Sequence, residues 1–526
     1  MHGISGTYAY LGVSPAVAVG DGWRSPDGRV GLGSAAHSAD GVLAVSFDGE
    51  GTNAAELLEL YVLQGPAMIA RVSGAFSLAL WDGRQRRLLL ARDAGGSRPL
   101  HYADDGWTLR FSSQSMAAGA SREVPAGTVI VTDATGPGAP VPSRSVQESA
   151  TMAAATVTAG ARILALVGDC YAGKGGIARY NQDLFEALAA GGARIVILPR
   201  LDDASGLALP AGIRQLPPVY GRLAYAVAAL RTALTEGPFD LLFCGHAFMS
   251  PLAWAIARLL RVRWWMQVHG TDIWEDRRAI VRRAIEASDM VTAVSRGTRQ
   301  ILMSWARLAP DQVRVLPNTI RDMFGPGKPS PELAARLQLG PGPVLLTVGR
   351  LSSTERYKGH EQIFAVLPAL RACFPTLLYL VAGDGDDRAY LERRAAELAR
   401  DPGAVRFLGF VPDKDLPDLY RLCDLYVMPS TQEGFGIVYL EAAACGLKSV
   451  GGMGGGSADA IPDERIGVIV DPADNAALVE AIARLLGQGK ADPAAVEPYR
   501  RPHFAAGARL LLARLLAQPR RMRGAS

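Results

Sequence analysis

The chain carries two hydrophobic rhythms, and the change between them falls near residue 135. Beyond residue 160, short, mostly apolar runs alternate with longer stretches whose apolar residues recur at helical spacing. The runs at 162–167, 195–198, 241–244, 264–268, 290–294 and 313–316 have the length of strands and are mostly apolar. Strands of that kind belong to parallel sheets covered by helices on both sides. A second series stands at 343–348, 377–381, 405–408 and 424–428, with helical stretches such as 390–400 between its members. The alternation predicts two doubly wound α/β units. Ahead of residue 135 the pattern is different: β-rich runs at 42–47, 76–81, 87–91 and 128–132, broken by Gly, Asp and Pro turns, with one helix over 53–63. Residues 135–156 are rich in Gly, Pro, Ala and Ser, have no period, and read as a linker. The expected division is 1–135, a linker over 136–158, 159–335 and 336–526.

Composition adds limits. At 526 residues the chain is too long for a single core. A net charge of +4 at this length does not call for a nucleic-acid partner. Five cysteines at scattered spacings, with no Cys-x-x-Cys pair, indicate neither a disulfide framework nor a zinc site. Neither a signal-peptide pattern nor an apolar run long enough to span a bilayer is visible. The expectation is a cytoplasmic protein, with peripheral contact at the inner face of the membrane left open. Two basic segments, 258–265 with Trp264 and Trp265, and 277–283, suggest such contact; a solvated basic face is the plain alternative.

The densest chemistry follows the run 424–428. A polar, glycine-containing turn leads into a helix from Ile437 to about Cys445 that stops at Gly446. Glu433 then sits in a strand-to-helix loop at the carboxyl edge of a parallel sheet, where ligands bind. Glu441 lies on the helix, with seven residues between the two acids. Carboxylates so placed can grip two hydroxyl-bearing parts of one elongated ligand; a helix-start acid plus a surface Glu is the alternative. Upstream stand Val348-Gly349-Arg350-Leu351, Glu355-Arg356-Tyr357-Lys358-Gly359-His360 and Val381-Ala382-Gly383-Asp384-Gly385. The acids of 383–387 form an ordinary glycine-acid turn after a strand. After the run 162–167 comes Gly168-Asp169-Cys170-Tyr171-Ala172-Gly173-Lys174-Gly175-Gly176. It fits the start of a phosphate loop, but Gly175 stands where that loop needs a hydroxyl for Mg²⁺.

Together these motifs, in this order, resemble the retaining glycosyltransferases of family 4. The resemblance covers about 160–520 and implies the GT-B architecture of two facing Rossmann-like domains. It implies that Glu433 contacts the donor sugar, Glu441 holds the nucleotide ribose, and Arg350 and Lys358 hold the diphosphate. Gly434, Phe435 and Gly436 of the same loop contact the donor. Gly175 and Gly176, opening a helix, let backbone and dipole approach the donor phosphates. His269, in Val268-His269-Gly270, resembles the family's loop histidine against the donor sugar. Pro317-Asn318-Thr319 matches the family's Pro-Asn-Gly only in part. The last helix, over about 504–516, is expected to cross back onto the second domain. The Gly454-Gly455-Gly456 loop resembles the family's glycine loop near the donor.

Residues 1–135 resemble the class II glutamine-amidotransferase domain of asparagine synthetases, an α+β Ntn-type fold. The resemblance rests on Met1–Gly6, Phe47-Asp48-Gly49-Glu50 and the long run Val72–Tyr102. Position 2 holds His2 where that family has the cysteine that supplies both nucleophile and α-amino base. Its arginine falls near Ala35, the Asn of its FNGE motif is Asp48, and its substrate-binding Asp falls near Ala54. The glutaminase is expected to be inactive.

The expected reaction moves a sugar from a UDP- or GDP-sugar to a saccharide, lipid-linked or small-molecule acceptor, with no cofactor and no metal. Front-face attack with the leaving diphosphate taking the proton fits the lack of a dedicated nucleophile. A scaffold built from two degenerate modules is the competing class. An asparagine synthetase would need a pyrophosphatase domain after residue 150, and none is present.

Overall fold

The computed structural model describes residues 4–10, 22–114, 116, 121–133, 135–138, 140–143, 160–173, 175–274 and 278–517. His2, Lys174, Arg277 and most of the expected linker lie outside the described residues.

The N-terminal unit is a sandwich of two antiparallel sheets with a helix on its outer side. One sheet runs in the order Arg122–Glu123, His101–Asp104, Thr108–Ser112, Ser5–Ala9, Val30–Leu32 and Trp23–Arg24. The other runs Gly136–Pro137, Thr128–Asp133, Arg87–Arg92, Phe76–Asp82, Leu43–Gly49 and Ala35–His37. Tyr8, Leu32 and Phe111 from the first sheet and Ala79, Leu90 and Ile130 from the second make their shared core. The outer face of the second sheet is covered by helix Ala54–Gln64 through Leu57, Leu58 and Tyr61. Asn53 caps this helix: its Oδ1 accepts from the Glu56 N–H at 3.0 Å, and its side-chain amide donates to the Glu56 carboxylate at 2.8 Å. The structure corrects the linker. Gly136–Pro137 and Val141–Pro142 both pair with Thr128–Asp133, so the sheet continues to Pro142.

Both remaining sheets are wholly parallel. The first runs Ile213–Gln215, Arg194–Pro199, Arg162–Val167, Leu241–Cys244, Arg263–Val268, Met290–Ala293 and Val313–Val315. The second runs Val405–Gly409, Leu378–Ala382, Val344–Val348, Leu425–Met428, Ser449–Gly452 and Gly467–Val470. Each has helices on both faces, so its central strands are mostly apolar and even their polar members Gln267, Thr292 and Thr347 are buried. Trp264 and Trp265 are both buried. Trp265 gives its indole N–H to Thr292 at 2.6 Å. The basic-aromatic surface expected around 258–265 is therefore not formed, because its aromatic half belongs to a central strand.

The closing helix Arg501–Ala517 crosses from the second parallel unit onto the first. Arg501 pairs with Glu186 at 2.6 Å, and Phe504 meets Tyr180 edge-to-face at 5.7 Å. Leu511, Leu512 and Leu515 are buried in one core that continues from the first parallel sheet to the second. Truncating such a leucine to alanine costs about 2–5 kcal/mol.

Candidate active site between the two parallel sheets

Loops at the carboxyl edges of the two parallel sheets meet. Strand Leu425–Met428 leads into the turn that carries Glu433, and helix Ile437–Ala444 starts at Gly436. Gly436 takes φ +88°, which a side chain would strain. Strand Arg263–Val268 ends opposite it at His269-Gly270. A Cβ on Gly434 would approach the His269 carbonyl oxygen to 2.2 Å, so only glycine lets the loops come this close. Ser295 Oγ and Thr298 Oγ1 also donate to the Gly434 carbonyl, at 2.6 and 3.0 Å. The sequence-predicted His269 and Glu433 loops are thus brought together. Phe435 is buried beside Tyr499, ring centroids 6.1 Å apart.

The two carboxylates have different surroundings. Burial pushes the Glu433 carboxyl above its ordinary value, with Lys358 and the N–H groups of Gly434 and Phe435 opposing. Glu441 is buried inside its helix and accepts from the Tyr420 hydroxyl at 3.3 Å. Burial lifts its carboxyl to about 7; Arg179, Tyr420 and Arg321 pull the other way, and Asp413 adds to the rise. Arg179 and Arg321 both reach Asp413, at 2.5 and 3.2 Å. Arg179 lies in the first turn of helix Gly176–Ala190, so Glu441 faces the glycine loop of the other sheet. Among the described residues no side chain caps that helix, and a Cβ on Gly175 or Gly176 would meet nothing within 4 Å. An anion can therefore approach its first-turn N–H groups.

Arg350 and Lys358 are joined by a residue to which the sequence reading gave no role. Glu355 accepts from Lys358 Nζ at 2.6 Å and forms a close ion pair with Arg350. Lys358 also donates to the Arg350 carbonyl at 3.2 Å. Burial opposes ionisation of Glu355, but the hydrogen bonds and charges of Arg350 and Lys358 outweigh it and hold the carboxyl below its ordinary value. Lys358 is 13% exposed and Arg350 71%, so one cation is set in the floor and the other is open to solvent while paired with Glu355. The signal was available: Glu355 and Lys358 are three residues apart on one short turn, Ser353–Lys358.

His269 is buried, its ring edge-to-face with Tyr180 at 5.3 Å. Its backbone N–H donates to Asp272 at 2.8 Å, and its Nε2 has no hydrogen-bond partner among the described residues. Burial lowers its pKa to about 4, against the pull of Asp272. At neutral pH it is an uncharged imidazole with one ring nitrogen unsatisfied. The acids of 384–387 are engaged locally: Asp387 binds Arg356 at 2.7 Å, Asp386 takes the Ser353 hydroxyl at 2.5 Å, and Asp384 lies 3.6 Å from Arg388.

Residues 332–499 match the glycosyl transferases group 1 family, 174–322 match Glycosyltransferase Family 4, and 46–129 match a glutamine amidotransferase domain. The chain is 33% identical over 227 residues to the GDP-mannose-dependent alpha-(1-6)-phosphatidylinositol monomannoside mannosyltransferase of Mycolicibacterium smegmatis, covering 41% of this chain and 56% of that protein. It is 33% identical over 226 residues to the D-inositol 3-phosphate glycosyltransferase of Acidothermus cellulolyticus, covering 40% and 49%. The chain thus spans about half the length of these two relatives. Among solved structures, the lipopolysaccharide outer core galactosyltransferase WaaB aligns with a TM-score of 0.53 at 18% identity, over 66% of this chain and 99% of that one. Anabaena Alr3699/HepE in complex with UDP and glucose aligns with a TM-score of 0.50 at 20% identity, over 67% and 94%. At such identities these likenesses speak for the fold. Residues 174–499 carry the two domains of a family 4, group 1 glycosyltransferase in the GT-B fold, behind a glutamine amidotransferase domain.

Proposed function

We propose that the chain transfers a sugar from a nucleoside-diphosphate sugar to a hydroxyl-bearing acceptor, with retention at the anomeric carbon and no metal. The observation that carries this reading is the convergence of Lys358, Arg350, Glu433 and His269 where the two sheet edges meet. Arg350 and Lys358 supply positive charge for a leaving diphosphate, the part of the transition state where charge grows. Glu433 and the neutral His269 sit beside that charge at the place for the sugar, and Glu441 is set apart for the ribose hydroxyls. The acceptor hydroxyl attacks on the face the diphosphate leaves, and the diphosphate takes its proton. A metal's role as counter-charge falls to the two side-chain cations and the helix at Gly175–Gly176. Thermal shift with UDP-, GDP- and ADP-sugars, followed by nucleotide release with acceptors, tests this. No shift with any donor would leave the scaffold reading in its place.

A lipid-linked acceptor and peripheral membrane contact are supported by helix Arg222–Thr235. Leu223, Val227, Leu230 and Leu234 form one exposed stripe on it, Leu223 at 84%. The helix also exposes Arg222 and Arg231 and contains no acid. An apolar stripe rimmed by cations fits an anionic lipid surface. Sedimentation with phosphatidylglycerol vesicles but not with pure phosphatidylcholine is expected, and its loss in Leu223→Glu/Val227→Glu. No sedimentation with either refutes it.

The amidotransferase domain is proposed to lack glutaminase activity. His2 replaces the nucleophile, and Asp48, in place of an amide, is tied to Arg98 at 2.9 Å. An ion-paired carboxylate offers glutamine no amide N–H there.

A further inference from the structure

The N-terminal domain grips the helix that holds the Glu433 loop. Helix Arg296–Trp305 belongs to the first parallel unit, and its start binds the second. Ser295 and Thr298 hold the Gly434 carbonyl, as described above. The Arg296 N–H donates to both Asp459 oxygens at 3.0 Å, and its guanidinium pairs with Asp459 at 3.1 Å, both side chains at 1% exposure or less. From the other side come three contacts of the N-terminal domain. The Arg296 guanidinium lies 5.0 Å over the buried ring of Tyr10. Tyr10 donates to Asp104 at 3.0 Å, and Asp104 binds Arg299 at 2.6 Å in a pair exposed by only 3% on each side. Gln300 donates to the Asp105 carbonyl at 2.8 Å. The helix that fixes Gly434 and Asp459 is thus itself fixed by Tyr10, Asp104 and Asp105.

We infer that the N-terminal domain is a positioning module for the donor loop, and that Tyr10 and Asp104 set the place of Glu433 through Arg296 and Arg299. A buried, charge-paired contact of this kind is rigid and specific, while an exposed linker contact would be neither. The role rests on the transferase reading of the site, and it explains why a domain without its nucleophile would be kept folded against the cleft.

The test uses the full chain with Tyr10→Leu, Tyr10→Phe and Asp104→Asn. Tyr10→Leu removes the ring under Arg296. It is expected to lower kcat about ten-fold, since small misplacements of reacting groups cost that much or more. Free nucleoside diphosphate, held by Arg350, Lys358 and Glu441, should bind within about two-fold of the parent. Amide exchange of the 431–437 segment in the unliganded protein should be about ten-fold faster. Tyr10→Phe keeps the ring and should restore all three readouts to within about two-fold, which a general loss of stability would not do. If Tyr10→Leu does not fold, Asp104→Asn, which weakens the Arg299 pair without changing shape, is read in the same way. Unchanged kcat per folded molecule together with unchanged exchange at 431–437 overturns the inference, as does equal impairment by the Phe and Leu variants. Absence of transfer by the parent refutes the transferase reading alone, because the exchange measurement still decides this one.

Discussion

Glu441 makes the proposed ribose contact measurable through protons. Its carboxyl is buried beside the Tyr420 hydroxyl, and burial raises its pKa from 4.5 to about 7. An acid raised in the folded state destabilises folding as pH rises. The cost begins above the unfolded pKa near 4.5, grows until about 7 and is constant beyond. The gap corresponds to about 3 kcal/mol at pH 8. Glu441→Gln, which cannot ionise, should therefore raise the stability of the unliganded protein at pH 8 and change it little at pH 5. Ribose hydroxyls donating to the ionised carboxylate would reverse the balance, because hydrogen bonds to the charged form favour it. Nucleoside diphosphate should then bind more tightly above pH 7 than below, by up to about ten-fold per pH unit below the pKa, with proton release on binding near pH 7. Calorimetry in two buffers of different ionisation enthalpy counts that proton, and Glu441→Gln should abolish it and weaken nucleotide at pH 8. A parent affinity that is flat from pH 6 to 8, with no proton released, would refute the placement of Glu441 on the nucleotide.

Three further outcomes are expected. Glu433→Gln should lower kcat by about 10²-fold or more, about 3 kcal/mol, while leaving nucleoside-diphosphate affinity nearly intact, because the charge it serves appears only at the transition state; equal losses in both would place it on the nucleotide instead. Transfer should persist in EDTA, and a loss that Mg²⁺ or Mn²⁺ restores would contradict the cationic role of Arg350 and Lys358. Purified protein should release no ammonia from glutamine, and His2→Cys alone should not change that, because Asp48 stays bound to Arg98; ammonia above a heat-killed control counts against it.

What the sequence disclosed follows burial. The central strands were legible because both faces are covered, so their runs are mostly apolar with only isolated polar members such as Gln267 and Thr292. Ile213–Gln215 escaped because it is a three-residue edge strand, and Ser449–Gly452 because two of its residues are glycine. Gly136–Pro137 and Val141–Pro142 looked like linker for the same reason: their Gly and Pro content argues against a strand, yet edge positions tolerate both. At the site, the structure brings the Glu433 and His269 loops together. Glu355 stood inside one of the sequence motifs, but only the three-dimensional turn shows that one carboxylate holds both cations.

That arrangement gives the site a definite electrostatic state. With Glu355 between them, Arg350 and Lys358 are two cations sharing one anion, so the cluster carries one net positive charge before any donor arrives. A diphosphate entering beside them need not displace Glu355 to find attraction. The exposed Arg350 can swing to it while Lys358, fixed by Glu355 and by the Arg350 carbonyl, stays in place. On the proposed reading, Glu355 would orient the lysine that meets the leaving group. The same division recurs across the cleft, where the Arg296–Asp459 pair is fully buried and the His269 imidazole is uncharged. Fixed groups hold the two sheets in register, and the most exposed cation of the cluster is Arg350.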